Sequence, residues 1–381
     1  MKDAWECFRV ALRLGLTSFG GPVAHVAYFR GEYVERLKWL NEDRFAELMS
    51  LTQFIPGPGS SQLGAAIGHE RAGLPGAFAT WLGFTLPSAV ILILVALGMG
   101  DLSNPHAAGA LVGLKLIALA VVTGAWIGMR KSLAPDGRYL AIAIVALALL
   151  WFFPKPWMTL VTIVLGGLAG VTVLSPEASS PEVKKTKSGS LGWLALIAFF
   201  SLLVVSIKHP SALAGIYRAG SLVFGGGHVV LPLLQETMVD GGYLSQEEFL
   251  GGYGATQAVP GPVFTFAAFL GVKSGILDNP LLGATAALLV VFLPGMLLLG
   301  GTLKIWSRLR GQSWSGPVVA GANAAVVGVL GVALLRMATD GTIAGWSDAL
   351  IVIVLFALLR FKVIPVWSLV ILSAAGGAFL A

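Results

Sequence analysis

The chain has 381 residues, 56% of them hydrophobic and 12% charged, with 25 Lys and Arg against 19 Asp and Glu. A soluble domain carries about 25% charged residues, so this composition excludes an ordinary soluble protein and predicts an all-α polytopic membrane protein. The net charge of +6 fits cytoplasmic loops facing anionic lipid; a nucleic-acid partner is a poor alternative, because no basic run exceeds Lys184-Lys185-Thr186-Lys187.

In chain order, the first six residues are polar and Arg9 and Arg13 interrupt the first apolar stretch, so no cleavable signal is expected. The single cysteine, Cys7, leaves no intramolecular disulfide and no CxxC metal site. The segment 8–29 is helical in pattern but broken at Gly20-Gly21-Pro22, just after Ser18. A charged amphipathic stretch follows over 30–47, suited to the membrane interface, where its acids and arginines form a solvated face. The next segment, 45–67, is broken by Pro56-Gly57-Pro58, which cannot continue a helix because proline lacks the N–H and glycine is permissive. Apolar runs then cover 77–99, 107–129, 140–153 and 157–174, several of them near the roughly 20 residues needed to cross a bilayer. Residues 175–190, rich in Ser, Pro, Glu and Lys, read as a solvated cytoplasmic linker. Beyond it, 191–207 is an additional apolar helix.

The remaining chain repeats the first part. Thr52-Gln53-Phe54-Ile55-Pro56-Gly57-Pro58 returns as Thr256-Gln257-Ala258-Val259-Pro260-Gly261-Pro262. Ser18-Phe19-Gly20-Gly21-Pro22 is answered by Val223-Phe224-Gly225-Gly226-Gly227, and Trp39-Leu40-Asn41 by Tyr243-Leu244-Ser245. Gly113-Leu114-Lys115 matches Gly321-Ala322-Asn323, each in an apolar run. Four landmarks in one order divide the chain into homologous halves, 1–174 and 211–381.

Loop charges indicate how the halves are related. In the first, 101–106 lacks Lys and Arg while the next loop carries Arg130, Lys131 and Arg138; in the second, Lys304, Arg308 and Arg310 come first with no acid, and Arg336 follows accompanied by Asp340 and Asp348. With the positive loops and the linker placed inside, the halves have inverted topology, and the helix 191–207 accounts for the inversion.

Each half thus begins with two broken or re-entrant helices; broken backbone at membrane depth must line a polar cavity or be buried in protein, and transporter sites lie where repeats meet. Packing is the competing reading, since glycine and proline are common in membrane helices. Free N–H groups at a helix start attract oxyanions. The helix after Pro58 opens with Gly59, Ser60 and Ser61, with a serine expected as its cap. The proposed cradle for a small oxyanion comprises Ser18, Gly20, Gly21, Gln53, Pro56, Gly57, Pro58, Ser60, Ser61, Gly225, Gly226, Gly227, His228, Gln257, Gly261 and Thr265. Lys115 stands in mid-helix, where it attracts the anion, carries a proton, or pairs structurally with a carboxylate or with backbone carbonyls. Its repeat partner Asn323 is neutral, and His25 and His228 follow the glycine breaks as proton-relay or structural histidines. Neither a catalytic constellation nor a metal-ligand cluster is visible, and HExxH and GxxxxGK[ST] motifs are absent, so neither an enzyme nor a bound cofactor is expected.

On the paired Phe-Gly-Gly and Thr-Gln-x-x-Pro-Gly-Pro motifs the chain resembles the chromate ion transporter family in its long form with two fused domains. The resemblance implies a bacterial inner-membrane exporter of chromate, driven by the proton gradient, with sulfate as the isosteric competitor. The residues by themselves reach a small oxyanion. A sulfate or other oxyanion carrier, importing or exporting, and an anion channel stay open beside it, as does assembly as a homodimer.

Overall fold

The computed structural model describes residues 2–19, 21–99, 105–154, 156–174, 190–224, 227–303, 306, 312–339, 342–361 and 363–380. Among them are 16 α-helices and no strand, so the chain is an all-α membrane protein. Gly20, Gly225, Gly226, the linker up to residue 189 and the charges Lys304, Arg308, Arg310 and Asp340 lie outside the described residues, as does the side chain of His228.

The first half opens with α1 (Lys2–Thr17), α2 (Gly21–Phe29), a π-helical turn at Arg30–Arg36, and α3 (Glu42–Phe54). Helix α3 begins where it does because the Asn41 side chain accepts the Arg44 N–H at 2.9 Å, satisfying one of the free donors at its end. The expected solvated face is present: Arg30 pairs with Glu35 at 2.7 Å and with Glu42 at 2.6 Å, on exposed side chains. Next comes α4 (Gly59–Gly98), which is a hairpin of two arms. Its turn is at Ala72 and Gly73, where Gly73 adopts φ +62°, and Pro75 follows. Beyond it the chain doubles back, bringing Gly76 against the Gly68 carbonyl and Thr80 against Gly64. Then follow α5 (Pro105–Leu133), α6 (Gly137–Phe152), α7 (Pro156–Val173) and the extra helix α8 (Ser190–Lys208).

The second half retraces this order. Helix α9 (Ala212–Ser221) answers α1, and a 3₁₀ turn at Gly227–Val229 leads into α10 (Val230–Met238) in the place of α2. Helix α11 (Gln246–Thr256) starts on a capping box, in which Ser245 and Glu248 satisfy each other's backbone N–H groups. A 3₁₀ turn at Val263–Thr265, α12 (Phe266–Lys273) and α13 (Pro280–Thr302) answer the arms of α4; α14 (Ser315–Thr339), α15 (Trp346–Arg360) and α16 (Val366–Leu380) complete the half. The second arm of α4 and helices α5, α13 and α14 are long and apolar enough to cross a membrane.

The halves are interleaved. Helices α15 and α16 pack on α5, while α6 and α7 pack on α14, so each half's last two helices clasp the other half's long helix. Small residues permit this approach, because a Cβ on Gly113 would strike the Ser373 backbone and one on Gly321 the Gly166 carbonyl. The first helices show the same correspondence. A Cβ on Gly15 would press on the Phe84 carbonyl, and one on Gly220 on the Val291 carbonyl.

Candidate functional site

The two Pro-Gly-Pro turns come together through a reciprocal pair of backbone hydrogen bonds. The Gly57 N–H donates to the Val223 carbonyl at 2.7 Å, and the Gly261 N–H donates to the Ser18 carbonyl at 2.9 Å. Each turn is thus tied to the chain just before the glycine break of the other half. Both glycines have positive φ, +129° at Gly57 and +98° at Gly261, a conformation that favours glycine. Their amides are consumed by these bonds, so they hold the halves together and are not free anion donors. Gln62 adds a clamp that the sequence did not single out: its side-chain amide donates to the Pro56 carbonyl at 3.1 Å and to the Gly295 carbonyl on α13 at 2.9 Å.

Beside the joined turns lies a cavity of about 360 Å³. With water occupying about 30 Å³ in the liquid, it has room for a tetrahedral oxyanion and several waters. From the first half it is lined by His25, Thr52, Gln53, Gly57, Pro58, Gly59 and Ser60, and from the second by Val223, Gly227, Pro262, Phe264 and Asn323. Exposed Ser132, at the end of α5 next to Arg130 and Lys131, marks where it reaches the surface.

The N-terminus of α4 faces this space. Its first intrahelical bond is from the Gln62 N–H to the Pro58 carbonyl at 2.9 Å, so the amides of Gly59, Ser60 and Ser61 precede the ladder. The N-cap is Pro58, which offers no side-chain acceptor, in place of the expected serine. An uncapped helix start keeps its partial positive charge for a ligand. Asn323 adds a carboxamide whose Oδ1 is buried without a hydrogen-bond partner among the described residues. His25 is 1% exposed, edge-on to Phe84 with ring centroids 5.2 Å apart. The Ser18 backbone approaches its ring, yet neither ring nitrogen closes a hydrogen bond of normal geometry.

Of the remaining expected residues, some line the cavity and others do not. Gln53 is exposed to it, whereas Gln257 lies off it and its amide donates to the Tyr253 carbonyl at 3.4 Å. Ser18, Gly21, Pro56, Ser61, Gly261 and Thr265 are not among the lining residues, and the Thr265 hydroxyl donates to the Pro262 carbonyl at 2.7 Å. Lys115 is 7% exposed and pairs with Glu247 of α11 at 3.0 Å. Of the three roles open to it from sequence, the structure contains the ion pair. Asn323, its counterpart in the repeat, faces the cavity instead, so the two halves present themselves differently.

The family described as chromate transporter matches the chain twice, over residues 5–171 and 210–378. A chromate transport protein of Pseudomonas aeruginosa is 27% identical over 87% of this chain and 80% of its own length. The chromate transport protein of Cupriavidus metallidurans is 26% identical, covering 92% of this chain and 86% of that protein. An uncharacterized transporter of Methanocaldococcus jannaschii is 27% identical over 98% and 94% of the two chains. No solved structure gives a significant match.

Proposed function

We propose that this chain, which belongs to the chromate transporter family, carries chromate across a membrane by holding the oxyanion in the cavity beside its two Pro-Gly-Pro turns. The observation that carries the reading is the convergence of Pro58, Pro262, Asn323 and the open N-terminus of α4 on one cavity. Its donors are uncharged: the amides at the start of α4, the Ser60 hydroxyl and the carboxamides of Gln53 and Asn323. Such a set recognises a tetrahedral dianion by hydrogen bonds and partial charge, and releases it more readily than a fixed cation would.

The mouth beside Arg130 and Lys131 is the cytoplasmic one by the positive-inside rule, so the cavity is poised to load for export. Interleaved, inversely oriented halves then rock about the joined turns, and the proton gradient supplies the driving force. Lys115, tied to Glu247, bridges the halves away from this mouth.

Purified protein in proteoliposomes, loaded with radiolabelled chromate, tests the reading. Gln53→Ala and Asn323→Ala should each lower flux at least fivefold with expression unchanged, while Lys115→Met should cost less. Unlabelled sulfate should compete, because the donors see the same tetrahedral shape and charge. Wild-type protein that moves sulfate but not chromate would refute chromate as substrate, and full flux in both cavity variants would refute the site.

A further inference from the structure

A second cavity, of about 350 Å³, lies farther along α14. Asn323 lines the first cavity, whereas Val329, Val332, Ala333 and Arg336 line the second. From residue 323 to residue 329 the helix rises about 9 Å. Between the two levels α10 packs on α14, with Val230, Val326, Val327 and Leu330 buried. The second cavity is therefore separated from the first by an apolar layer and approaches the opposite end of the bundle.

Its polar lining is unusual for so apolar a chain. Glu236, half-buried on α10, accepts a hydrogen bond from the Thr159 hydroxyl of α7 at 3.0 Å. The guanidinium groups of Arg218 on α9 and Arg336 on α14 act on it electrostatically, yet among the ion pairs of the described residues neither is paired with it. Arg218 donates to the Ser206 carbonyl, and Arg336 to the Leu150 carbonyl at 3.2 Å. Asp240, just beyond α10, is the acidic neighbour. On α11, Glu247 and Glu248 are committed to Lys115 at 3.0 Å and Lys273 at 3.8 Å. Two carboxamides also line this space with unsatisfied atoms: Gln235, 8% exposed, through Oε1, and Gln246 through Nε2. Unpaired polar atoms on residues that line a cavity of this size call for water.

We propose that this cavity is a proton-exchange site of the transport cycle and that Glu236 is the group that takes up and releases the proton. The proton passes between cavity water and a Glu236 carboxylate oxygen, converting carboxylate to carboxylic acid and back. No ion pair has to break, because both arginines are held by backbone carbonyls. Flanking positive charge favours the carboxylate, and the apolar layer at one side favours the neutral acid, so the balance follows hydration of the cavity. A change in the packing of α10 on α14 reaches both cavities and links protonation to the oxyanion site. The proposal rests on chromate being the cargo.

Proteoliposomes separate the two ideas by comparing chromate–chromate exchange, with no net proton movement, against net chromate flux driven by an imposed pH gradient. Glu236→Gln should keep exchange within about threefold of wild type while gradient-driven flux falls at least tenfold, and Glu236→Asp should restore part of it with a shifted pH profile. Undiminished gradient-driven flux in Glu236→Gln would overturn the assignment, as would equal loss of both modes without rescue by Asp. If the Gln variant does not fold, an unshifted pH profile in Glu236→Asp overturns it. Wild-type chromate flux indifferent to the pH gradient removes the proton site and leaves the carrier; absence of chromate exchange in the wild type removes the carrier reading and this site with it.

Discussion

At the scale of single residues, Gly57 and Gly261 do more than interrupt a helix. A Cβ at Gly57 would stand 2.8 Å from the Gln62 side-chain nitrogen and 3.0 Å from Gly295 Cα, in a backbone conformation of φ +129°. Strain of this kind costs about 1–3 kcal/mol. Gly57→Ala should therefore lower the melting temperature in detergent and, by shifting the turn that holds Val223, reduce chromate flux. Gly31→Ala, where nothing lies within 4 Å and no positive φ is required, is the matched control and should leave both unchanged. Equal behaviour of the two variants would contradict the role given to the turn. The prolines and glycines at this break were legible in the sequence because their effect on a helix is local. Asn323 was not: it drew notice only as the neutral counterpart of Lys115, and its place on the cavity depends on a contact between halves. Gln62 and Glu236 left no local signal, since a glutamine after a helix start and a glutamate after an apolar run are ordinary in any chain.

At the scale of elements, what is legible follows the same division. The helices at 77–99 and 107–129, the extra helix α8 and the breaks before α2 and α4 were readable from apolar runs and punctuation. The hairpin inside α4 was less so, because Arg71, Gly73 and Pro75 mark a turn without revealing that Gly68 and Gly76 touch across it. The clasp of α6 and α7 on α14 and of α15 and α16 on α5 joins residues far apart in sequence, which a hydropathy pattern does not encode. Loop charge predicts opposite directions for α5 and α14, and this can be measured. With Cys7 replaced by Ser, Ser132→Cys and Gln312→Cys should react with a membrane-impermeant thiol reagent from the cytoplasmic face, and His106→Cys and Thr339→Cys from the other. Labelling of Ser132→Cys and Gln312→Cys from opposite faces would contradict inverted halves.

For the whole molecule, the exchange of helices between halves makes the two turns a shared centre. Gly57 bonds to the second half and Gly261 to the first, so each turn is held in place by the other half. Their difference is equally informative. Asn323 faces an open cavity while Lys115, at the matching place, is closed onto Glu247. One repeated sequence is thus held in two unlike arrangements, an asymmetry on which the proposed alternating access would draw. The most direct test of the central claim is X-ray diffraction from crystals of the protein soaked in chromate, recorded at the chromium absorption edge. The account predicts one anomalous peak in the first cavity, within hydrogen-bonding reach of Ser60 and Asn323 and displaced by excess sulfate. Occupied chromium sites elsewhere, with that cavity empty, would contradict it.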